Sequence, residues 1–141
     1  MKIPDVNILL YAVDTNSPQH ARIRPWWESL LSSDEPIGFA WVALLGFLRI
    51  STRNVFPSPL DVGVACQIIE QWLAQANSIV IHPTEQHFAV LRRLIEATGT
   101  AGNLTTDAHV AALAIEYDGE VCSADSDFRR FSGVRWINPL D

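Results

Sequence analysis

Lysine is almost missing from this chain. Lys2 is the single one, against nine arginines, and the formal net charge of the 141 residues is −6. So acidic a chain is not a sequence-independent nucleic-acid binder held by bulk positive charge. Arginine's planar fork suits phosphate, so any grip on a phosphate backbone is expected from individual arginines; compositional bias of a GC-rich genome accounts for the same imbalance. Cysteine is scarce as well. Cys66 and Cys122 lie in apolar stretches without metal-ligand spacing, and two reduced, buried thiols are expected rather than a structural disulfide. Apolar runs approaching the roughly 20 residues that cross a bilayer are absent, so no membrane span is expected. The N-terminal MKIPDVNILLYAVD carries an acid inside its apolar stretch and makes a poor signal peptide, which points to a cytoplasmic protein. A P-loop, a dinucleotide-type glycine pattern and serine or cysteine nucleophile motifs are also missing.

What remains is an ordinary globular composition, 48% apolar and 18% charged, which fits a soluble fold. The length suits a single domain burying roughly 70% of its unfolded-chain surface. Short apolar strands alternate with helical patterns. Strands are expected at Met1–Ile3, Pro36–Phe39, Ser78–Ile81, Glu120–Ser123 and, as an edge, Arg135–Asn138. A turn or two of helix over Ile8–Tyr11 and helices over His20–Ser32, Ala40–Ser51, Leu60–Ala76, Thr84–Thr98 and Thr106–Tyr117 lie between them. Thr84 is read as an N-cap and Gly99 as a stop. Val64, Ile68 and Leu73 are read as inward residues, as are Phe88, Leu91, Leu94 and Ile95. Residues 52–59 are a loop. No repeat, linker or low-complexity tract interrupts this order, which implies a mostly parallel sheet covered on both faces. Strand order is not derivable from the pattern.

The acids carry the chemistry. Gly102–Phe128, GNLTTDAHVAALAIEYDGEVCSADSDF, places Asp107 in the first turn of one helix and Asp125 and Asp127 just beyond a buried strand. Asp5 ends the first apolar run. In a parallel sheet these positions share the carboxyl edge, where ligands bind. Each acid alone has a structural explanation: helix capping for Asp5, the helix dipole for Asp107, local turn bonding for Asp125 and Asp127. Together, with no lysine near, they would repel one another unless a cation lies between them. With no paired histidine or cysteine set, a hard oxygen-liganded ion such as Mg²⁺ or Mn²⁺ is the natural occupant. His109 reads as a capping or core histidine, and His20, His82 and His87 as surface or structural. Trp26 and Trp27 read as core residues or as markers of a dimer surface.

The stretches IPDVNILLYA (3–12), WVALLGFLRIST (41–52), GNLTTDAHVAALA (102–114) and CSADSDFRRFSGVRWINPL (122–140) resemble a PIN domain, specifically a VapC-type toxin ribonuclease. The resemblance covers nearly the whole chain. It implies a three-layer α/β/α domain over residues 1–141 and Mg²⁺- or Mn²⁺-dependent cleavage of RNA phosphodiesters. It also implies a homodimer and a small antitoxin laid over the active groove. In such families the ligands are an Asp ending strand one, a Glu on the helix after strand two, and two later Asp residues. Here those positions are Asp5, Gly46, Asp107 and Asp125, with Asp127 a further candidate. Asp5, Asp107 and Asp125 would hold the metal, and Asp125 with Asp127 would supply a second ligand or a water-orienting base. Asn7, Arg49 and Arg53 are expected to position substrate, with Arg129 another rim arginine. Gly46 departs from the pattern by having no side chain, which weakens metal binding and keeps open an alternative, a catalytically weak or inactive PIN domain acting as a binding module. A phosphotransferase of the haloacid-dehalogenase kind would need a second acid where Asn7 stands and a lysine partner, and is set aside.

Overall fold

The computed structural model describes residues 1–54 and 58–141. In chain order it contains β1 (Lys2–Pro4), α1 (Val6–Val13), α2 (His20–Leu31), β2 (Ile37–Ala40), α3 (Trp41–Ser51), α4 (Val62–Leu73), β3 (Ser78–Ile81), α5 (His87–Thr98), α6 (Thr105–Glu116), β4 (Glu120–Cys122) and β5 (Arg135–Ile137). Short 3₁₀ turns occupy Gly102–Leu104 and Ser126–Arg130. The strands are brief because each is a handful of apolar residues closed by a helix-starting or turn residue. All strand pairs are parallel, in the order β3-β2-β1-β4-β5. The chain steps outward from β1 to β3, then returns to the other side of β1 for β4. The carboxyl ends of β1 and β4 therefore flank the point where the winding reverses, the usual ligand crevice of such sheets.

Helices cover both faces, giving the expected α/β/α layering with a sheet that is parallel throughout. On one face α1 to α4 enclose an aromatic cluster. Trp27 meets Phe39 edge-on at 5.9 Å and Trp72 at 5.6 Å, Phe47 lies 4.9 Å from Trp72, and Phe39 stacks 6.3 Å from Trp72. These rings tie β2 to three helices in the offset and edge-to-face geometries that aromatic quadrupoles favour. Trp27 is thus a core residue, 2% exposed, and marks no surface. On the other face α6 lies against Ile3, Val121 and Phe128. Its residues 110–114, VAALA, are all buried, and the alanines let the helix approach the sheet closely. The return to β4 is equally tight. Asp118 takes a positive φ of 51°, and a β-carbon on Gly119 would stand 2.7 Å from Ile3 Cδ1 and 3.3 Å from the Met1 carbonyl oxygen. Only glycine fits there.

Several local expectations shift. The first helix is two turns, starting at Val6 with Asp5 as its cap. Pro4 lies within β1, whose last residue pairs with Cys122. α5 begins at His87 with Gln86 at its cap; Thr84 lies just before it, its hydroxyl donating to Glu116 Oε1 at 2.6 Å and accepting the Gln86 N–H at 3.2 Å. Phe88, in that first turn, is 72% exposed and not inward. In α4 the buried residues are Ala65, Ile69 and Trp72, with Ile68 and Leu73 partly covered and Val64 facing solvent. Gly99 does stop α5, in the left-handed conformation. Cys122 is a buried thiol as expected, but Cys66 is exposed; both are free. Of the loop expected at 52–59, residues 55–57 lie outside those described. Among the described residues no helix is long and apolar enough to cross a membrane.

Trp72 touches three other rings of the aromatic cluster and is 6% exposed. Trp72→Ala is expected to cost about 3–5 kcal/mol of stability in a urea titration, the range for deleting a large buried aromatic.

Candidate metal centre and active site

Asp5 is held from three sides. Its Oδ1 accepts the Val6 N–H at 2.8 Å, and its Oδ2 accepts the Ser123 hydroxyl at 2.8 Å and the Asn7 amide at 3.2 Å. Asn7 also donates to Ser123 Oγ at 3.0 Å and accepts the Ala124 N–H at 3.1 Å. Ser123 Oγ in turn accepts the Asp125 N–H at 3.0 Å. This lattice stitches the end of β1 to the end of β4. It satisfies a carboxylate that is only 8% exposed and that would otherwise be costly to bury. Burial pushes the Asp5 carboxyl up, Asp125 adds to the rise, and the hydrogen bonds from Ser123, Val6 and Asn7 oppose it.

Asp107, Asp125 and Asp127 converge beside this lattice, each offering a carboxylate oxygen within 4.8 Å of the others. The spacing follows from the local backbone. Asp107 stands in the first turn of α6. Asp125 begins the turn after β4 and accepts the Asp127 N–H at 2.9 Å, which folds the second acid back towards the first. The helix dipole favours an anion at Asp107, yet its carboxyl is pushed up to about 7. Burial is the largest cause, followed by the charges of Asp5 and Asp125, a hydrogen bond to Asp125, and the charge of Asp127. The one lysine cannot relieve this, because Lys2 pairs with Glu120 at the opposite end of β1 and β4. A single cation can. Oxygens no more than 4.8 Å apart are of the order of the roughly 4 Å between opposite ligands of Mg²⁺, and an all-carboxylate set suits Mg²⁺ or Mn²⁺ rather than zinc.

The four acids expected from the sequence are therefore brought to one edge of the sheet. The closest set is Asp107, Asp125 and Asp127, with Asp5 adjoining it rather than within it. Asn7 is occupied on both ends of its amide by Asp5, Ser123 and Ala124, so it positions Asp5. Gly46 is buried on α3, and a β-carbon there would stand 3.0 Å from Val6 Cγ2. A cavity of about 230 Å³ opens beside it, bordered by Asp5, Arg49 and Thr106. Arg49 thus borders the same cavity as Asp5, whereas Arg53 is an exposed residue just past α3. The Arg129 guanidinium lies 5.4 Å from the centre of the Trp136 ring, whose N–H donates to the Ser123 carbonyl at 2.9 Å.

Ser123 was not singled out in the sequence, although its place between a buried strand and Asp125 is the available signal. Nor was the chain of Glu116, His87 and His109. His87 bonds Glu116 through Nδ1 at 2.5 Å and His109 through Nε2 at 2.8 Å, joining α5 to α6. Burial opposes ionisation of Glu116, but the hydrogen bonds from Thr84 and His87 hold its carboxyl below the usual range. Burial and the neighbouring His87 hold the His109 imidazole low. The partners lie 22 and 29 residues apart in the chain, so only the helix pairing brings them together.

Ribonuclease VapC37 of Mycobacterium tuberculosis is 45% identical over 140 residues, covering 99% of this chain and 97% of the relative. Ribonuclease VapC33 of the same organism is 43% identical over 141 residues, covering 99% of each. Among solved structures, FitAB bound to an IR36 DNA fragment superposes with a TM-score of 0.71 at 18% identity, covering 100% of this chain and 96% of the other. VapBC-1 from nontypeable Haemophilus influenzae superposes with a TM-score of 0.68 at 18% identity, covering 99% and 98%. At these identities the two structures speak for the fold alone. The PIN domain model matches residues 2–134. With the parallel sheet and the acids at its carboxyl edge, this match places the chain in the PIN domain family.

Proposed function

We propose that this chain is a Mg²⁺- or Mn²⁺-dependent endoribonuclease of the VapC type, the toxin of a VapBC-type pair. In this reading its single domain hydrolyses RNA phosphodiesters in the cytoplasm, works as a homodimer and is restrained by a small antitoxin. The observation that carries it is the convergence of Asp107, Asp125 and Asp127 on a chain that is 45% identical, nearly end to end, to a protein named a ribonuclease. Asp107, Asp125 and Asp127 would hold the cation, with Asp5 adjoining. When bound, such an ion offsets charge on the phosphate oxygens and makes a water acidic enough to attack phosphorus. The chain's residues do the rest. Asn7 and Ser123 hold Asp5 in one rotamer, so its charge stays aimed at Asp107. Asp107, whose carboxyl is pushed up to about 7, would have to give up its proton to serve as a ligand. Whichever carboxylate oxygen of Asp125 or Asp127 is not engaged orients the water and accepts its proton. Arg49, across the Gly46 cavity, meets the RNA backbone. An acidic cleft on an acidic protein repels RNA until the cation is present.

With Mn²⁺ present, Asp107→Ala is expected to lower cleavage of a mixed-sequence RNA by about 100-fold or more, as several kcal/mol of charge stabilisation is lost. Chelation with EDTA is expected to remove RNA retention on a filter as well as cleavage. Equal, negligible activity in the wild type and in Asp107→Ala would instead make this PIN domain a binding module, the reading that the bare Gly46 favours.

The raised Asp107 carboxyl also has a sign in stability. Folded, it titrates near 7, against its usual 3.8; between those values the folded state holds more protons than the unfolded state. Without metal, stability therefore falls as pH rises across that window and is least above it. The group is half-exposed, so screening reduces the effect to about 1 kcal/mol. In EDTA at pH 7.5, Asp107→Asn is expected to raise the Tm by about 4 °C, and below pH 4 the two proteins should melt together.

A further inference from the structure

The cavity beside Gly46 has a composition of its own. Its walls are Val6, Val42, Leu45 and Gly46, and its polar groups are Asp5, Arg49 and Thr106. One end reaches Asp5 and hence the acids that would act on phosphorus. Arg49 and Thr106 are exposed, and Leu45, 55% exposed, forms an outer lip. The walls offer apolar surface on both sides of a gap of about 230 Å³. Such a gap suits a flat ring with an apolar face and hydrogen-bonding edges, and does not suit a hydrated sugar–phosphate chain. Arg49 supplies the charge for the phosphate attached to such a ring. The gap also depends on glycine. A β-carbon at position 46 would already stand 3.0 Å from Val6 Cγ2, so any larger side chain displaces Val6 or fills the space.

We propose that the Gly46 cavity is a specificity subsite that takes the base of one RNA nucleotide next to the scissile phosphate, with Arg49 on its phosphate. This rests on the ribonuclease reading and deepens it: the same missing side chain that thins the ligand set admits the base. The subsite discriminates by fit, so one base is held better than the other three.

The test uses the full wild-type chain with methyl-labelled Val and Leu and nitrogen-15-labelled Arg in Mg²⁺, titrated with the four ribonucleoside 5′-monophosphates and, separately, inorganic phosphate. One nucleotide should shift the Val6, Val42 and Leu45 methyl signals and bind at least about 10-fold tighter than the weakest of the four, a difference of roughly 1.4 kcal/mol. Inorganic phosphate should shift the Arg49 side chain without moving those methyls. Gly46→Leu should abolish the methyl shifts and flatten base preference at the cut site on an RNA with randomised positions. Leu45→Ala, at an exposed position that leaves the core intact, should weaken the preferred nucleotide several-fold and serves if Gly46→Leu does not fold. Four equal affinities without methyl shifts overturn the subsite. So does unchanged base preference in both variants while Asp107→Ala is inactive. A wild type that cleaves no RNA overturns the ribonuclease reading, whereas the mononucleotide titration tests the subsite separately from it.

Discussion

Like-charge repulsion at the carboxyl ends of β1 and β4 is the constraint to which the rest of the structure answers. Asp5, Asp107, Asp125 and Asp127 approach one another without a lysine, and burial together with these charges pushes the Asp107 carboxyl up to about 7. Holding them there takes three arrangements at once. Donors from Val6, Asn7 and Ser123 satisfy the most buried acid. The turn after β4 uses the Asp125 side chain to bring in Asp127. The burial of α6 fixes the start of that helix, and with it Asp107. None of these lowers the repulsion itself. They make it rigid, so that a cation entering the site meets oxygens that are already assembled.

The two faces of the sheet divide the remaining work. The aromatic cluster under α1 to α4 secures β2 and therefore the base of α3, which carries Gly46 and Arg49. The alanine-rich packing of α6, the Gly119 turn and the bridge from Glu116 through His87 to His109 secure the other wall. The crevice lies where the two systems meet, at the reversal of strand order. The single lysine is spent at the far end of β1, against Glu120. Charge is thus segregated along the strands, the lysine–glutamate pair at one end and the four aspartates at the other.

Most of the fold was legible in the chain, because short apolar strands alternating with helical periods leave few arrangements. The four acids were legible for the same reason, since each follows a strand or opens a helix. What was hidden depends on tertiary pairing. Phe88 carried the helical spacing of an inward residue, but the pattern does not say where the covering layer ends. Thr84 looked like the cap, but the helix starts later, at His87, and the Thr84 hydroxyl both accepts the Gln86 N–H and donates to Glu116, 32 residues away. His87 carried no distinctive signal in sequence, and its partners in space, Glu116 and His109, come from another helix. The triad within the acid cluster turned on the Asp125 side chain bonding the Asp127 backbone, a detail of one turn that periodicity cannot report. Asn7, expected to face substrate, is committed to Asp5.

All of the assembled acids are aspartates, each on a residue at the end of a strand or the start of a helix or turn. Aspartate has one rotatable bond fewer than glutamate, so the position of each oxygen is inherited almost directly from the main chain. A glutamate on α3 would have contributed a long, adjustable arm. With Gly46 there instead, that position of α3 offers no such arm, and the size of ion that the four aspartates would accept is set by how the sheet and α6 are spaced.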